Sequence, residues 1–308
     1  MIRSHHWQNR QFFAGCLLIF SVALLSLLPS TRASAETTTV LRIGLIPEQD
    51  IFAQKKRHQP LFDYLEKKLD LRIEAQVLSR YGNLIDNFNE LELDAAFFGS
   101  FTGALAIKKL GMNPLARPHH IEGLSSYYGI LFVRTQSGIK TAEDMYGKRM
   151  VFVDRATTAG YLLPLDYFKQ NGIADYSTWF AEYYFAGTQE DAILEVLKGY
   201  ADVGAAKNTI FYQLARDNPQ ILDNLQILAT SPHVPENAFG VRCDLAEGLT
   251  TLLREHLLSM HQTPEGRAAL DALGVQHFVL TTEKDYQPVF DYAEQIGMDL
   301  STYQYLND

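Results

Sequence analysis

Short apolar runs alternate with amphipathic stretches along nearly the whole chain. That is the pattern of an α/β protein, in which strands of a mainly parallel sheet are covered on both faces by helices. Strands are predicted at Val40 to Ile46, Arg72 to Val77, Asp94 to Phe98, Ile130 to Val133, Arg149 to Val153, Tyr183 to Ala186, Asp202 to Ala206, Leu225 to Ala229 and Ala238 to Arg242. Between them the period lengthens to that of a helix. Pro60 to Leu69 carries Leu61, Leu65 and Leu69 on one face. Ser79 is an N-cap for a helix ending near Leu91, and Ser100 caps another that stops at Gly111. Thr141 to Asp144 forms a variant capping box. Further helices are read at Thr158 to Gln170, Asp191 to Lys198, Asn208 to Arg216, Ala246 to Met260, Glu265 to Leu273 and Glu283 to Ile296. Pro164 lies too far inside its helix for an ordinary first-turn proline and predicts a bend or a late start there.

The amino terminus departs from this alternation. Arg3 and Arg10 precede an apolar run from Phe12 to Leu28, and Ala33-Ser34-Ala35 has the small-x-small form of a signal-peptidase site. Residues 1–35 therefore read as an export signal, and the periplasm is the expected location. Of the 308 residues, 273 then remain, a length that suggests two lobes. Loss of Arg3, Arg10 and Arg32, with no acidic residue, takes the formal charge from −9 to −12. So acidic a chain is a poor non-specific binder of nucleic acid. A small anion is still admissible, because amides and hydroxyls can hold one without net positive charge. Cys243, the one cysteine after the signal, permits no disulfide within the chain and reads as a small core residue.

Candidate chemistry centres on Val151-Phe-Val-Asp-Arg-Ala-Thr-Thr-Ala-Gly-Tyr161, a strand that runs through a hydroxylated turn into a helix. The first N–H groups of a helix, the positive end of its dipole and the Thr157 and Thr158 hydroxyls converge there on one point suited to an anion. Threonines at a helix start are also ordinary N-caps, and Lys207-Asn208 is equally a solvated strand end followed by a cap. His119-His120 with Glu122 lacks a third ligand at a recognisable spacing, so no metal is expected. No Gly-x-Ser-x-Gly elbow, phosphate-binding P-loop or His-Glu-x-x-His is present, and neither an enzyme nor a cofactor is indicated.

Several segments together resemble the phosphate, phosphite and phosphonate-binding proteins of ABC transporters. They are Arg42-Ile-Gly-Leu-Ile-Pro47, Leu93-Asp-Ala-Ala-Phe-Phe-Gly-Ser100, Tyr127-Tyr-Gly-Ile-Leu-Phe-Val133, Asp144 to Asp154, Thr157-Thr-Ala-Gly-Tyr161 with Pro164, Gly187 to Ala192 and Ala201-Asp-Val-Gly-Ala-Ala206. The resemblance implies two Rossmann-like lobes joined by a two-strand hinge, the type II periplasmic-binding-protein fold. Lobe 1 would take residues 36–127 and 236–308 and lobe 2 residues 128–235, with hinges near Ser126 to Leu131 and His233 to Phe239. It further implies a monomeric, non-catalytic protein that closes over a tetrahedral oxyanion and passes it to a permease. A membrane sensor kinase, with a different oxyanion, is the alternative partner. The implied pocket comprises Tyr81, Ser100, Phe101 and Thr102 from the first lobe and Tyr127 or Tyr128 at the crossover. Thr157, Thr158, Ala159, Gly160, Gln189, Glu190 and Lys207 complete it. Ala159 stands where the family has a second serine, and Glu190 where an anion-holding histidine is common. A carboxylate beside a dianion is costly unless it is protonated, turned away or paired, and Lys207 would meet either the oxyanion or Glu190.

Overall fold

The computed structural model describes residues 39–120 and 124–306. The leader read from residues 1–35 and Glu122 lie outside the described residues.

Thirteen strands form three sheets among the described residues. In chain order they are β1 Val40–Leu45, β2 Arg72–Val77, β3 Ala95–Phe98, β4 Asn113–His120, β5 Ser126–Tyr127, β6 Gly129–Arg134, β7 Arg149–Phe152, β8 Glu182–Phe185, β9 Val203–Lys207, β10 Leu225–Thr230, β11 Val234–Pro235, β12 Ala238–Val241 and β13 Val275–Leu280. The first lobe holds the order β13-β4-β12-β3-β1-β2, and the second β10-β6-β9-β7-β8. Each sheet is mixed rather than mainly parallel. The β1/β2, β1/β3, β7/β8 and β7/β9 pairs are parallel. Pairs that include β4, β6, β10, β12 or β13 are antiparallel. The reversal has a topological cause: β12 joins the first sheet on return from the second lobe, and so enters between β3 and β4 against their direction. The two crossovers lie side by side as β5 and β11, with Val234 opposite Tyr127 and Pro235 opposite Ser126.

Two strands escape sequence reading. β4 contains Pro114 and Pro118, which cannot donate to a ladder and argue locally against a strand. β13, Val-Gln-His-Phe-Val-Leu, lacks a clean alternation. The helix expected from Pro60 begins nine residues earlier, at Ile51, where the Asp50 side chain accepts from the N–H groups of Phe52 and Ala53. Its first turns bury Gln54 and His58, polar residues that a hydropathy pattern assigns to solvent. Between Ser79 and Leu91 only Asn83–Asp86 is helical. Cys243 is exposed, because the chain has just left β12. Asp202, at the start of β9, holds both Arg134 and Arg149, so its role is to brace the second sheet.

Burial divides the hydrophobic side chains accordingly. Leu41, Ile43, Phe62, Leu253 and Leu270 pack on one face of the first sheet, and Phe152, Phe168, Val133 and Met150 on one face of the second. A third cluster, including Phe98, Phe101, Phe132 and Tyr286, draws on both lobes. The carboxy-terminal segment adds polar ties: Tyr303 donates to the Arg155 carbonyl at 2.9 Å and Tyr305 to Asp86 at 2.6 Å.

Candidate functional site

The carboxyl ends of β1, β3, β7 and β9 face one another across the cleft, the position where α/β sheets ordinarily take ligands. A small cavity of about 10 Å³ lies there. It is lined by Tyr81, Ser100, Phe101, Tyr127, Thr157, Thr158, Gln189 and Lys207 from among the residues singled out in the sequence, and by Glu48 and Asn237. Thr102, Tyr128, Ala159, Gly160 and Glu190 do not line it. Thr102 turns its hydroxyl back to the Gly99 carbonyl. Tyr128 packs on His233 and belongs to the crossover.

The turn at Val153 to Leu162 explains this division. Asp154 organises it, accepting from the Ala156 N–H at its side chain and from Thr157 N–H and Oγ1 at its carbonyl. Thr158 then opens a single π-helical turn to Leu162, and a regular helix follows from Leu163 to Gln170 with Pro164 in its first turn. This wide turn is the late start that Pro164 predicts. Thr157 has committed its hydroxyl proton to the Asp154 carbonyl, whereas Thr158 Oγ1 is buried beside Tyr127 without a bond of good geometry. The two threonines are therefore not equivalent.

Gly160 supports the turn by its lack of a side chain. A Cβ there would stand 2.4 Å from Val153 Cβ. Gly160→Ala is expected to lower stability by about 1–3 kcal/mol, the cost of overpacking, and to displace the Thr158 turn. Urea unfolding checks it; a wild-type midpoint would show that the close approach to Val153 is not needed.

The remaining hydroxyls are ordered by proton count. Ser100 Oγ lies 2.6 Å from the Pro235 carbonyl and 2.8 Å from Tyr127 OH. A carbonyl only accepts, so Ser100 donates to Pro235 and Tyr127 donates to Ser100. Both protons tie the first lobe to the crossover strands. Tyr81 OH, like Thr158 Oγ1, is buried without a bond of good geometry, with Gln189 beside it, and burial holds the phenol far above its ordinary pKa. Gln189 accepts from the Lys207 N–H at 2.8 Å.

Among the described residues, Lys207 is the only cation that lines the small cavity. Its ammonium is buried and bonded to Glu236, to Glu48 at 3.2 Å and to Asn237 at 3.2 Å, and it lies 4.5 Å from the centre of the Tyr127 ring. Glu236 also meets His120 at 3.2 Å. Burial opposes the charge on Lys207, but Glu236 and Glu48 outweigh it and raise the amine above its usual range. Burial likewise opposes ionisation of Glu236, and Lys207 and His120 hold its carboxyl well below the usual range. His120 is raised, the hydrogen bond and charge of Glu236 overcoming burial. Of the two partners expected for Lys207, an oxyanion or Glu190, the Glu190 pair does not form. Glu190 turns out of the cavity and accepts from the Asp50 N–H at 3.1 Å, capping the helix of the other lobe. Glu48, Glu236 and Asn237 were missed in the sequence; the available signal was their position, just after β1 and between β11 and β12, at strand ends that face the cleft. His119 stacks against His277, and no group of His, Cys, Asp and Glu among the described residues is placed to hold a metal ion.

Comparison with known proteins agrees with this architecture. The sequence matches the family model described as "ABC transporter, phosphonate, periplasmic substrate-binding protein" over residues 43–286. The phosphonates-binding periplasmic protein of Escherichia coli (strain K12) is 25% identical over 282 residues, which cover 90% of this chain and 82% of that protein. A probable ABC transporter phosphite binding protein of Prochlorococcus marinus (strain MIT 9301) is 23% identical over 271 residues, 85% of this chain and 90% of the relative. Among solved structures, the P. marinus PhnD1 complex with methylphosphonate superposes with a TM-score of 0.76 at 21% identity, covering 85% of this chain and 99% of that one. A binding protein component of an ABC phosphonate transporter from Pseudomonas aeruginosa gives a TM-score of 0.79 at 19% identity, covering 84% and 87%. Family members are substrate-binding transport proteins, and the extent of the match over both lobes places this chain among them: it belongs to the periplasmic phosphonate-binding family of ABC transporters.

Proposed function

We propose that this chain captures a phosphonate, phosphite or related tetrahedral oxyanion between its lobes and delivers it to an ABC permease in the inner membrane. The supporting observation is that two buried hydroxyls without a bond of good geometry, Thr158 Oγ1 beside Tyr127 and Tyr81 OH beside Gln189, share one cavity with Lys207. An unsatisfied buried hydroxyl costs free energy, and a ligand oxygen would remove that cost. The Thr158 N–H at the start of the turn adds a donor aligned with the helix dipole, while Ala159 and Gly160, outside the cavity, shape the turn behind it. Ser100, Phe101, Tyr127 and Gln189 hold the frame around them, and Thr102 and Tyr128 support it from behind. Glu190 orders the cleft by bridging the lobes and does not face the oxyanion, and Glu48, the carboxylate that does line the cavity, is paired with Lys207.

In this reading residues 1–35 export the chain, and it works as a monomer, as the family resemblance implies. The same ligand signal could be read by a membrane sensor kinase, but no feature of the cleft favours that partner over a permease. Calorimetry after ligand removal by partial unfolding and refolding tests the reading, with phosphate, phosphite, methylphosphonate, aminoethylphosphonate, sulfate and arsenite as probes at neutral pH. One phosphorus oxyanion is expected to bind at micromolar Kd or tighter. Silence across the panel would refute the ligand class and leave the family assignment intact.

A further inference from the structure

The small cavity is not isolated. Ile46, Glu48, Lys207 and Asn237 form a wall that it shares with a chamber of about 480 Å³ between the lobes. A volume of about 10 Å³ is about the space of one water, too little for a phosphoryl group with three oxygens. Occupancy therefore requires that something give way. The shared wall is the side on which a ligand's charge can act, because Lys207 and Asn237 are held there by side-chain bonds for which an anion competes, whereas the opposite side is the Asp154 turn, held through backbone groups.

The chamber has the size of an ordinary small-molecule site. Phe97 and Phe278 supply apolar surface, with ring centres 6.4 Å apart. His58 meets the Phe97 ring edge-on at 5.5 Å. Its Nδ1 lies 2.8 Å from the Gln54 carbonyl, which can only accept, so Nδ1 carries the proton and Nε2 remains an acceptor. Burial, then Arg57, lowers the ring to about 4, so at neutral pH it is uncharged. Arg57 and Arg216 stand on opposite lobes, and Arg57 reaches across to Gln213 at 3.0 Å. The buried carboxylates of the shared wall, Glu48 and Glu236, are already occupied by Lys207. An ammonium group would thus meet Arg57 and Arg216, with no unengaged carboxylate except Asp271 at the exposed edge, while an uncharged ring or hydroxylated group would meet aromatic surface and a hydrogen-bond acceptor.

We infer that the chamber is a second compartment of the binding site, which receives the uncharged organic substituent of a monosubstituted phosphoryl ligand, R–PO₃ or RO–PO₃, with R about the size of an aromatic ring. This inference rests on the oxyanion site proposed above and extends it from headgroup to substituent. The wall opens when the ligand's charge competes for Lys207, and headgroup and substituent then occupy adjoining spaces.

Calorimetry with methylphosphonate, phenylphosphonate, phenyl phosphate and 2-aminoethylphosphonate tests it on the ligand-stripped protein. Phenylphosphonate is expected to bind at least about tenfold tighter than methylphosphonate, from burial of the ring, and 2-aminoethylphosphonate to gain nothing over methylphosphonate. Tighter binding of phenyl phosphate than of phenylphosphonate would assign the natural source to phosphate monoesters, and the reverse order to phosphonates. Ala272→Trp, at an exposed position on the chamber's edge, should bring the phenyl-to-methyl affinity ratio close to one; Thr209→Trp plugs it from the other lobe should the first variant fold poorly. Equal affinity for the methyl and phenyl compounds, or a ratio that neither plug alters, overturns the chamber. Methylphosphonate binding with no phenyl preference defeats this inference alone, whereas silence with all four probes defeats the oxyanion reading and this inference together.

Discussion

Lys207→Met should destabilise the protein by about 3–5 kcal/mol at neutral pH, the penalty of leaving a buried ion pair with one partner. The cause is not the lost attraction alone. Glu48 and Glu236 would remain buried in the cleft, their side chains only 9% and 3% exposed, without the ammonium that now bonds both. The dependence on pH should reverse sign for Glu236. In the wild type the Glu236 carboxyl is held below its unfolded value, so its contribution is present above about pH 4.3 and is lost as the pH falls through the lower folded value. In the variant, burial without Lys207 raises the carboxyl pKa above the unfolded value. Stability is then greatest below about pH 4.3 and declines as the pH rises through the raised value. His120 stays beside Glu236 and softens the change, since its own raised pKa favours pairing on the acidic side. Urea unfolding at several pH values between 4 and 8 measures this, and a further exchange of Glu48 and Glu236 for glutamine should recover much of the loss. A variant as stable as the wild type at neutral pH, or one with an unchanged pH profile, would show that the buried pair carries no net weight.

Thr158→Val should move stability and affinity in opposite directions. The hydroxyl is buried with no bond of good geometry in the ligand-free protein, so a methyl of the same shape removes an unsatisfied polar group and should raise stability by about 1 kcal/mol or more. For a domain of this size that is a rise in Tm of about 2–4 °C. The same change deletes a donor to a charged ligand, a bond worth about 1.5–3 kcal/mol, so Kd for a phosphorus oxyanion should rise about ten- to hundredfold. Thr157→Val is the control. Its hydroxyl belongs to the Asp154 carbonyl, and its loss should lower stability while it affects Kd mainly through the turn. If Thr158→Val bound oxyanion with unchanged affinity, the turn would have no place in the site.

Where local rules suffice, the sequence was readable. Apolar runs and helical spacing located most strands and the longer helices: β1, β6, β7 and β9 are largely buried runs, and the edge strand β2 alternates exposed with half-buried positions. The Thr157-Thr158 turn and Lys207 were visible for the same reason: each stands at a strand end where helix geometry dictates which way groups face. β4 was hidden because Pro114 and Pro118 argue against pairing locally, and only its neighbours β12 and β13 make it a strand. The opening turns of the helix Ile51–Leu69 were hidden because their buried face is polar, Gln54 and His58 lining the interlobe chamber.

By itself, then, the sequence determined the α/β alternation, the family and the strand-end positions from which ligand groups project, all properties that depend on residues near one another in the chain. The tertiary structure alone decided which charges meet. Lys207 is 159 residues from Glu48 and 29 from Glu236, and Glu190 is 140 from the Asp50 N–H it caps. Nothing in the local pattern marks a glutamate as buried. Its protonation, and its place in the site or outside it, depend on the partner that the fold brings within about 3 Å, where the interior's low dielectric makes one opposite charge outweigh the cost of burial.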